Sequence, residues 1–255
     1  MMIVAVLILA PQAKAQDVAA AFNEANKLYE QGRFSDAAAS YEKIIVSGSA
    51  SSRIYFNLGN AYLKLGQMGR AIVAYRNAEK LSPRDPDVRS NLQFAREQAG
   101  GGTTAQTRSW QNWIAKLTLN EWTILTSVAL SILFLLLALR QWRASRRNSF
   151  RGLLLFLGIA CAFLLVCLVA AIRQEFSVRS AVIIVSEAVV RPGPFDESPS
   201  AFTLRDGAEV TVLGQKDNWL EIVDASQRTG WLPRKNVLQI GNPKMEGASL
   251  RARRN

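Results

Sequence analysis

The chain has 255 residues, of which 31 are basic and 20 acidic, giving a formal net charge of +11, and it contains no histidine. Without histidine the usual general base is missing, which excludes Ser-His-Asp triads and nearly all catalytic zinc sites. The basic surplus lies partly in a short central loop and partly at the C-terminus, which favours anionic lipid over nucleic acid as its partner. We therefore expect no enzyme activity and no cofactor.

Residues 1–15 are predicted to be a signal peptide. The apolar stretch Ile3–Ala10 is too short to span a membrane, and Ala13-Lys14-Ala15 provides a small-x-small cleavage pattern before Gln16. We expect this segment to be removed on export. If the segment is retained, it is a weak third membrane segment.

Residues 16–99 contain an internal repeat with a period of 34 residues. Two units, about 18–51 and 52–85, are followed by a single helix, 86–98, that is expected to cap the stack. The second unit carries the small and aromatic residues Leu58, Gly59, Tyr62, Gly66, Ala71, Tyr75, Ala78 and Pro83. This spacing resembles the tetratricopeptide repeat, in which pairs of antiparallel helices stack and small residues allow close contact. Such repeats bind polypeptides far more often than they catalyse reactions.

The first helices of the repeats are expected to line a groove. Asn26 and Asn57 match family positions whose amides bind a peptide backbone or carboxylate, and Arg53 and Asn60 lie close to them in the sequence. We predict a peptide-binding groove from these four residues. The alternative is that the asparagines support neighbouring turns.

Two apolar runs, 122–139 and 152–172, are each long enough to cross a membrane as a helix. A linker and interfacial helix, 100–121, precedes them, and Cys161 and Cys167 lie in the second run without facing each other. The loop 140–151 between the runs holds five arginines, and short basic loops remain cytoplasmic. The pattern predicts a two-helix hairpin with both flanking domains on the opposite, periplasmic side of the bacterial inner membrane.

Alternating hydrophobicity marks residues 181–241 as a small β-domain, followed by a basic tail, 242–255. The predicted strands are 182–190, 208–213, 219–223, 230–232 and 236–240. The glycine, tryptophan and valine spacing that ends in Gly230-Trp231-Leu232-Pro233 resembles the bacterial SH3-like barrel. Trp219, Trp231 and Phe195 are the candidate ligand surface, for a peptide or a glycan strand. The alternative for both tryptophans is packing inside the barrel.

The whole chain reads as a multidomain membrane protein: an all-α tetratricopeptide repeat domain, a two-helix transmembrane hairpin and a small all-β SH3-like barrel. This order is similar to the E member of the Bat (aerotolerance operon) family, and three segments carry the resemblance most: 91–96, 119–122 and 190–194. The resemblance implies a scaffold that works with membrane proteins bearing von Willebrand A-type domains and with a MoxR-type ATPase. We expect a non-enzymatic adaptor linked to aerotolerance or stress. The alternative is a sensor or tether that binds peptidoglycan.

Overall fold

A computed structural model describes residues 2–100, 117–142, 151–177 and 179–241. The chain forms two compact units. The first combines the N-terminal helical region, up to residue 106, with the chain from Arg179 onward. The second is the segment 107–178, which contains the two long apolar helices. Three of the segments predicted from the sequence lie wholly or largely outside the described residues: the linker and interfacial helix, 100–121, the basic loop, 140–151, and the basic tail, 242–255.

The helices of the first unit follow the 34-residue period. They are α1 (Met2–Glu30), α2 (Phe34–Val46), α3 (Ser52–Lys64), α4 (Met68–Leu81) and α5 (Pro86–Gln98). Gly32 and Gly66, one period apart, have φ angles of +75° and +71° and turn the chain inside each unit. Helix α1 runs without a break through the predicted cleavage site, so the predicted signal segment forms its first half.

The small residues of the repeat allow the close helix packing that was predicted. A Cβ atom added to Gly59 would lie 2.5 Å from the ring of Tyr75, which is fully buried. Tyr41, one period before Tyr75, is buried in the same way. At the Gly59 contact, an aromatic ring therefore packs directly against a helix surface that lacks a side chain.

The second unit contains helices α6 (Leu119–Trp142) and α7 (Arg151–Ser177), which extend the predicted apolar runs at both ends. Most of their apolar side chains are exposed, and Phe134 and Phe156 are 66% and 69% exposed. Cys161 and Cys167 are buried and form no disulfide. Trp122, near the start of α6, is buried. These are two helices long and apolar enough to cross a membrane.

The described part of the C-terminal region is rich in β-strands. The strands are β1 (Ser180–Ile183), β2 (Glu187–Val190), β3 (Phe202–Arg205), β4 (Glu209–Lys216), β5 (Trp219–Val223), β6 (Thr229–Pro233) and β7 (Val237–Gln239). One antiparallel sheet has the order β6-β5-β4-β1-β7, and β2 pairs with β3 in a second sheet. A bridge between Arg191 and Trp231 joins the two sheets.

Two details of the strand prediction were wrong. The predicted strand 182–190 is two strands in different sheets, because the chain leaves the first sheet after Ile183. Strand β3 was not predicted, because Phe202-Thr203-Leu204-Arg205 is only four residues long and its alternation is too short to stand out. Both differences depend on which strands pair with one another, and a linear pattern does not reveal that pairing.

The β-domain packs against the repeat helices within the first unit. Val182 of β1 and Leu238 of β7 belong to the same buried cluster as the repeat core. The remaining buried strand residues, such as Ile183, Leu220 and Ile222, form the core of the barrel itself. Sequence analysis treated the two domains as separate modules, and their shared core is a new finding.

Candidate functional site

The asparagines of the predicted groove form a hydrogen-bonded ladder between repeats. Asn26 Oδ1 accepts a hydrogen bond from the Tyr41 hydroxyl at 2.6 Å and from Asn57 Nδ2 at 2.9 Å. One period later, Asn60 Oδ1 accepts from the Tyr75 hydroxyl at 2.7 Å and from Asn91 Nδ2 at 3.1 Å. The same contact is thus built twice, and it joins each first helix to the next one.

This ladder assigns the asparagines a structural role. Their amide oxygens are engaged by buried tyrosines, and burial raises the pKa of both the Tyr41 and Tyr75 hydroxyls, which stay protonated donors. The side chains of Asn26 and Asn57 therefore bond to each other between first helices, and not to the neighbouring turns. Arg53 differs from them, because it is exposed on α3 beside this ladder.

A buried ionic cluster lies behind the ladder. The Tyr62 hydroxyl donates to Glu42 Oε1, and Arg70 donates to the Tyr62 hydroxyl at 3.3 Å. Glu42 and Arg70 are 4% and 8% exposed, so each charge is neutralised inside the protein. Burial and the neighbouring Glu42 carboxylate raise the pKa of Tyr62 far above its usual range. The cluster joins α2, α3 and α4, and its members are positioned for packing and not for chemistry.

The candidate tryptophans lie on the outward face of the barrel. In β5 the buried residues are Leu220 and Ile222, whereas Trp219 alternates with them and is only partly buried. Trp231 is partly buried in the same way in β6. The pairing of Trp219 with Pro233 and of Glu221 with Trp231 places all four on one face. This face, which we call the tryptophan face, combines two aromatic rings with one carboxylate.

The long loop after β2 is folded on itself. Ser198 is buried, and its hydroxyl accepts a hydrogen bond from the Gly193 amide at 3.3 Å, while the Arg191 guanidinium donates to its carbonyl oxygen. The Phe195 ring packs against Gly193 but remains 53% exposed. The loop begins beside Trp231, because Arg191 is paired with that residue.

Sequence reasoning missed Asp206, which lies in the tight turn between β3 and β4. Its carboxylate accepts a hydrogen bond from the amide of Gly69, at the beginning of α4, at 3.1 Å. Partial burial raises its pKa above the usual value, although Arg70 and the backbone amides around it act in the opposite direction. The signal in the sequence was the lack of a capping side chain at Gln67, just before α4.

The described residues contain no group of three histidine, cysteine or acidic side chains arranged to hold a metal ion. The carboxylates of Glu42 and Asp206 are paired with an arginine and a backbone amide, respectively. Among the predicted site residues, Arg53 and Phe195 are exposed and the two tryptophans are partly buried.

Comparison with known families agrees with this organisation. Residues 22–86 match the family model described as tetratricopeptide repeat. Residues 185–238 match the family model described as bacterial SH3 domain. No curated protein matches the chain. The two domains together indicate protein–protein interaction, and the second is also compatible with peptidoglycan as a ligand.

Proposed function

We propose that the chain is a non-enzymatic adaptor of the bacterial inner membrane, which recruits partner proteins through its repeat and SH3-like domains on the periplasmic side. The observation that carries this proposal is the shared core of the two domains, which are separated in sequence by the two apolar helices.

The exposure of the apolar helices supports a membrane location. A core helix of a soluble protein is mostly buried, whereas α6 and α7 expose large apolar side chains such as Phe134 and Phe156. Exposing apolar surface to water raises the free energy by about 25 cal/mol for each Å². A hydrocarbon environment removes this cost, and each helix is long enough to span it.

The shared core also constrains topology. Residues before α6 and after α7 pack together, which supports the proposal that both domains lie in the same compartment. Two crossings return the chain to its starting side, whereas one crossing would separate the packed domains. The arginines between the helices then favour a cytoplasmic loop and periplasmic domains.

The class of partner follows from the repeat and from the family resemblance. The first-helix surface around Arg53 has the chemistry to bind an acidic or C-terminal peptide group, because Arg53 is exposed and cationic. The resemblance to the Bat family implies two kinds of partner, membrane proteins with von Willebrand A-type domains and a MoxR-type ATPase. The complex that they form with this chain would be linked to aerotolerance or stress.

Co-purification tests this function. The full chain with a C-terminal tag is extracted gently from its native membrane, and the bound proteins are identified by mass spectrometry. Recovery of von Willebrand A-type membrane proteins, reduced in Arg53→Glu and unchanged in the exposed control Arg89→Glu, supports the adaptor. If both variants recover the same proteins, and these are only general chaperones, the adaptor proposal is contradicted.

The tryptophan face favours a second candidate, a peptidoglycan tether. Two partly buried tryptophans flanking Glu221 offer a stacking surface and an acceptor for an amine. Purified sacculi should retain the full chain in detergent, and Trp219→Ala with Trp231→Ala should lose that retention. Retention that does not depend on these tryptophans contradicts a site at this face.

A further inference from the structure

The contacts between the two domains repeat a pattern that already occurs inside the helical region. At the first junction between units, α2, α3 and α4 contribute Glu42, Tyr62 and Arg70 to one buried cluster. One period later, the positions of Glu42 and Tyr62 are held by Arg76 of α4 and Arg96 of α5. The position of Arg70 falls beyond Gly100, where the sequence departs from the repeat.

Glu209 of β4 supplies the missing third member. Its carboxylate lies 2.6 Å from Arg96 Nε and 3.3 Å from Arg76 Nε, and its side chain is only 18% exposed. At the first junction one arginine meets an acidic side chain and a tyrosine. At the second junction Glu209 meets two arginines, and Glu79 Oε2 lies 3.0 Å from Arg76 Nη1, so two acidic side chains balance two basic ones.

Two further residues of α4 contact the β-domain. A Cβ added to Gly69 would lie 2.0 Å from the Ile183 carbonyl oxygen, so only glycine lets strand β1 approach the start of the helix. Asn77 Oδ1 accepts a hydrogen bond from the amide of Gly241 at 2.8 Å. The equivalent positions of the first unit are Ser35 and Lys43, which lack these features.

The end of α5 is covered by the same turn. A Cβ added to Gly207 would lie 2.4 Å from Ala99 and 3.2 Å from Ile72, and the φ angle of Gly207 is +86°. Asp206 and Glu209 therefore flank a glycine that fits closely between α4 and α5. Val182 and Leu238 complete the apolar part of the contact.

We propose that the SH3-like domain replaces the second helix of a third repeat unit, and that the α4–α5 end of the repeats is a docking site for its acidic turn, Asp206–Glu209. The site is occupied within the same chain. The two domains consequently unfold together, and the α4–α5 end is closed to other proteins. This proposal concerns the domain contact alone, and it holds whether or not the adaptor function does.

Charge reversal with rescue tests the docking, using the full chain in detergent micelles and hydrogen exchange measured by mass spectrometry. Glu209→Arg places a third cation beside Arg76 and Arg96, so amides of α5 and β1 should exchange about tenfold faster. Arg96→Glu should do the same. The double variant, Glu209→Arg with Arg96→Glu, should restore most of the protection. Glu187→Arg, an exposed change in β2 of the same domain, is the matched control and should leave α5 unchanged.

The possible results separate the alternatives. If Glu209→Arg speeds exchange only in the barrel and leaves α5 unaffected, the proposal is overturned. The proposal is also overturned if the amides of the double variant exchange as fast as those of the single variants. Co-expression of the two single variants tests docking between copies. Restored protection in that mixture would show exchange of domains between chains and would overturn docking within one chain.

Discussion

The carboxylate of Asp206 accepts a hydrogen bond from the amide of Gly69, 137 residues earlier in the chain. The amides at the beginning of a helix have no partner within the helix, and a nearby acceptor of negative charge stabilises them. Helix α3 obtains this acceptor from Ser51 and helix α5 from Asp85, each directly before the helix. Helix α4 obtains it from another domain, so its stability depends on the docking of the barrel.

Asp206→Ala should lower the free energy of unfolding of the full chain by about 1 kcal/mol, the usual cost of losing a helix cap. Asp206→Asn should retain most of it, because asparagine caps a helix as well as aspartate. Thermal unfolding in detergent, followed by circular dichroism, measures both. Equal melting temperatures for wild type and Asp206→Ala would contradict a capping role.

The same pair predicts a pH dependence. Burial raises the pKa of Asp206 in the folded state above its unfolded value, so the folded state binds the proton more tightly. The extra stabilisation that comes from this proton binding is present below the unfolded pKa of 3.8 and is lost as the pH rises through the raised folded pKa, whereas the hydrogen bond from the Gly69 amide remains. Asp206→Asn lacks this dependence.

The stability of Asp206→Asn relative to that of the wild type should therefore increase as the pH rises from acid to neutral. Melting temperatures of the two proteins at matched pH values measure the difference, and other titrating groups cancel. A difference that does not change with pH, or that changes in the opposite direction, would show that Asp206 is not desolvated in the folded state.

Gly59 gives a packing prediction. Gly59→Leu forces a side chain into the ring of Tyr75, whose nearest atom would lie 2.5 Å from the new Cβ. We expect a loss of about 1–3 kcal/mol or complete unfolding of the repeats. Gly158→Leu in α7 is the control, since a Cβ at that position meets nothing within 4 Å. Similar melting temperatures for the two variants would contradict the close contact between α3 and α4.

The predictability of the fold from sequence depends on how local its determinants are. Pro86 and the acidic side chains beside it mark the start of α5, and the prediction 86–98 matches Pro86–Gln98. Gly32 and Gly66 adopt the positive φ angles that a turn between helices requires. These features act within a few residues, so one sequence reveals them. Strand β3 and the division of 182–190 depend on pairing with distant strands, and a local pattern does not reveal that.

The candidate sites show the same contrast. The tryptophans were recognised by residue type, but their outward direction became clear only from the pairing of β5 with β6. Asn57 was predicted to bind a peptide because of its position in the repeat, yet its side chain bonds to Asn26. The contact of Glu209 with Arg96 joins residues 113 positions apart, and no periodicity links them. The prediction that residues 1–15 are cleaved stays a prediction.

Membrane topology can be measured with single cysteines, because Cys161 and Cys167 are the only native ones. Both are replaced by alanine, and one cysteine is introduced either at Lys216, which is exposed on β4, or at Arg146 in the loop between the helices. A maleimide that does not cross membranes should label intact spheroplasts at position 216 and not at 146, and lysis should expose both. Labelling at 146 alone would reverse the proposed orientation.

The last prediction separates binding from packing on α3. Arg53→Ala removes an exposed charge and leaves the hydrogen bonds of the asparagine ladder in place, so we expect an unchanged melting temperature with weaker capture of partner proteins. Asn60→Ala leaves the Tyr75 hydroxyl without its acceptor, which should cost about 1–3 kcal/mol. Because the ladder joins the first helices, Asn60→Ala should also reduce capture, but only in proportion to the unfolded fraction. Lowering the temperature should restore capture for Asn60→Ala and not for Arg53→Ala. If cooling restores capture equally in both variants, Arg53 acts through stability and the groove has no direct role in binding.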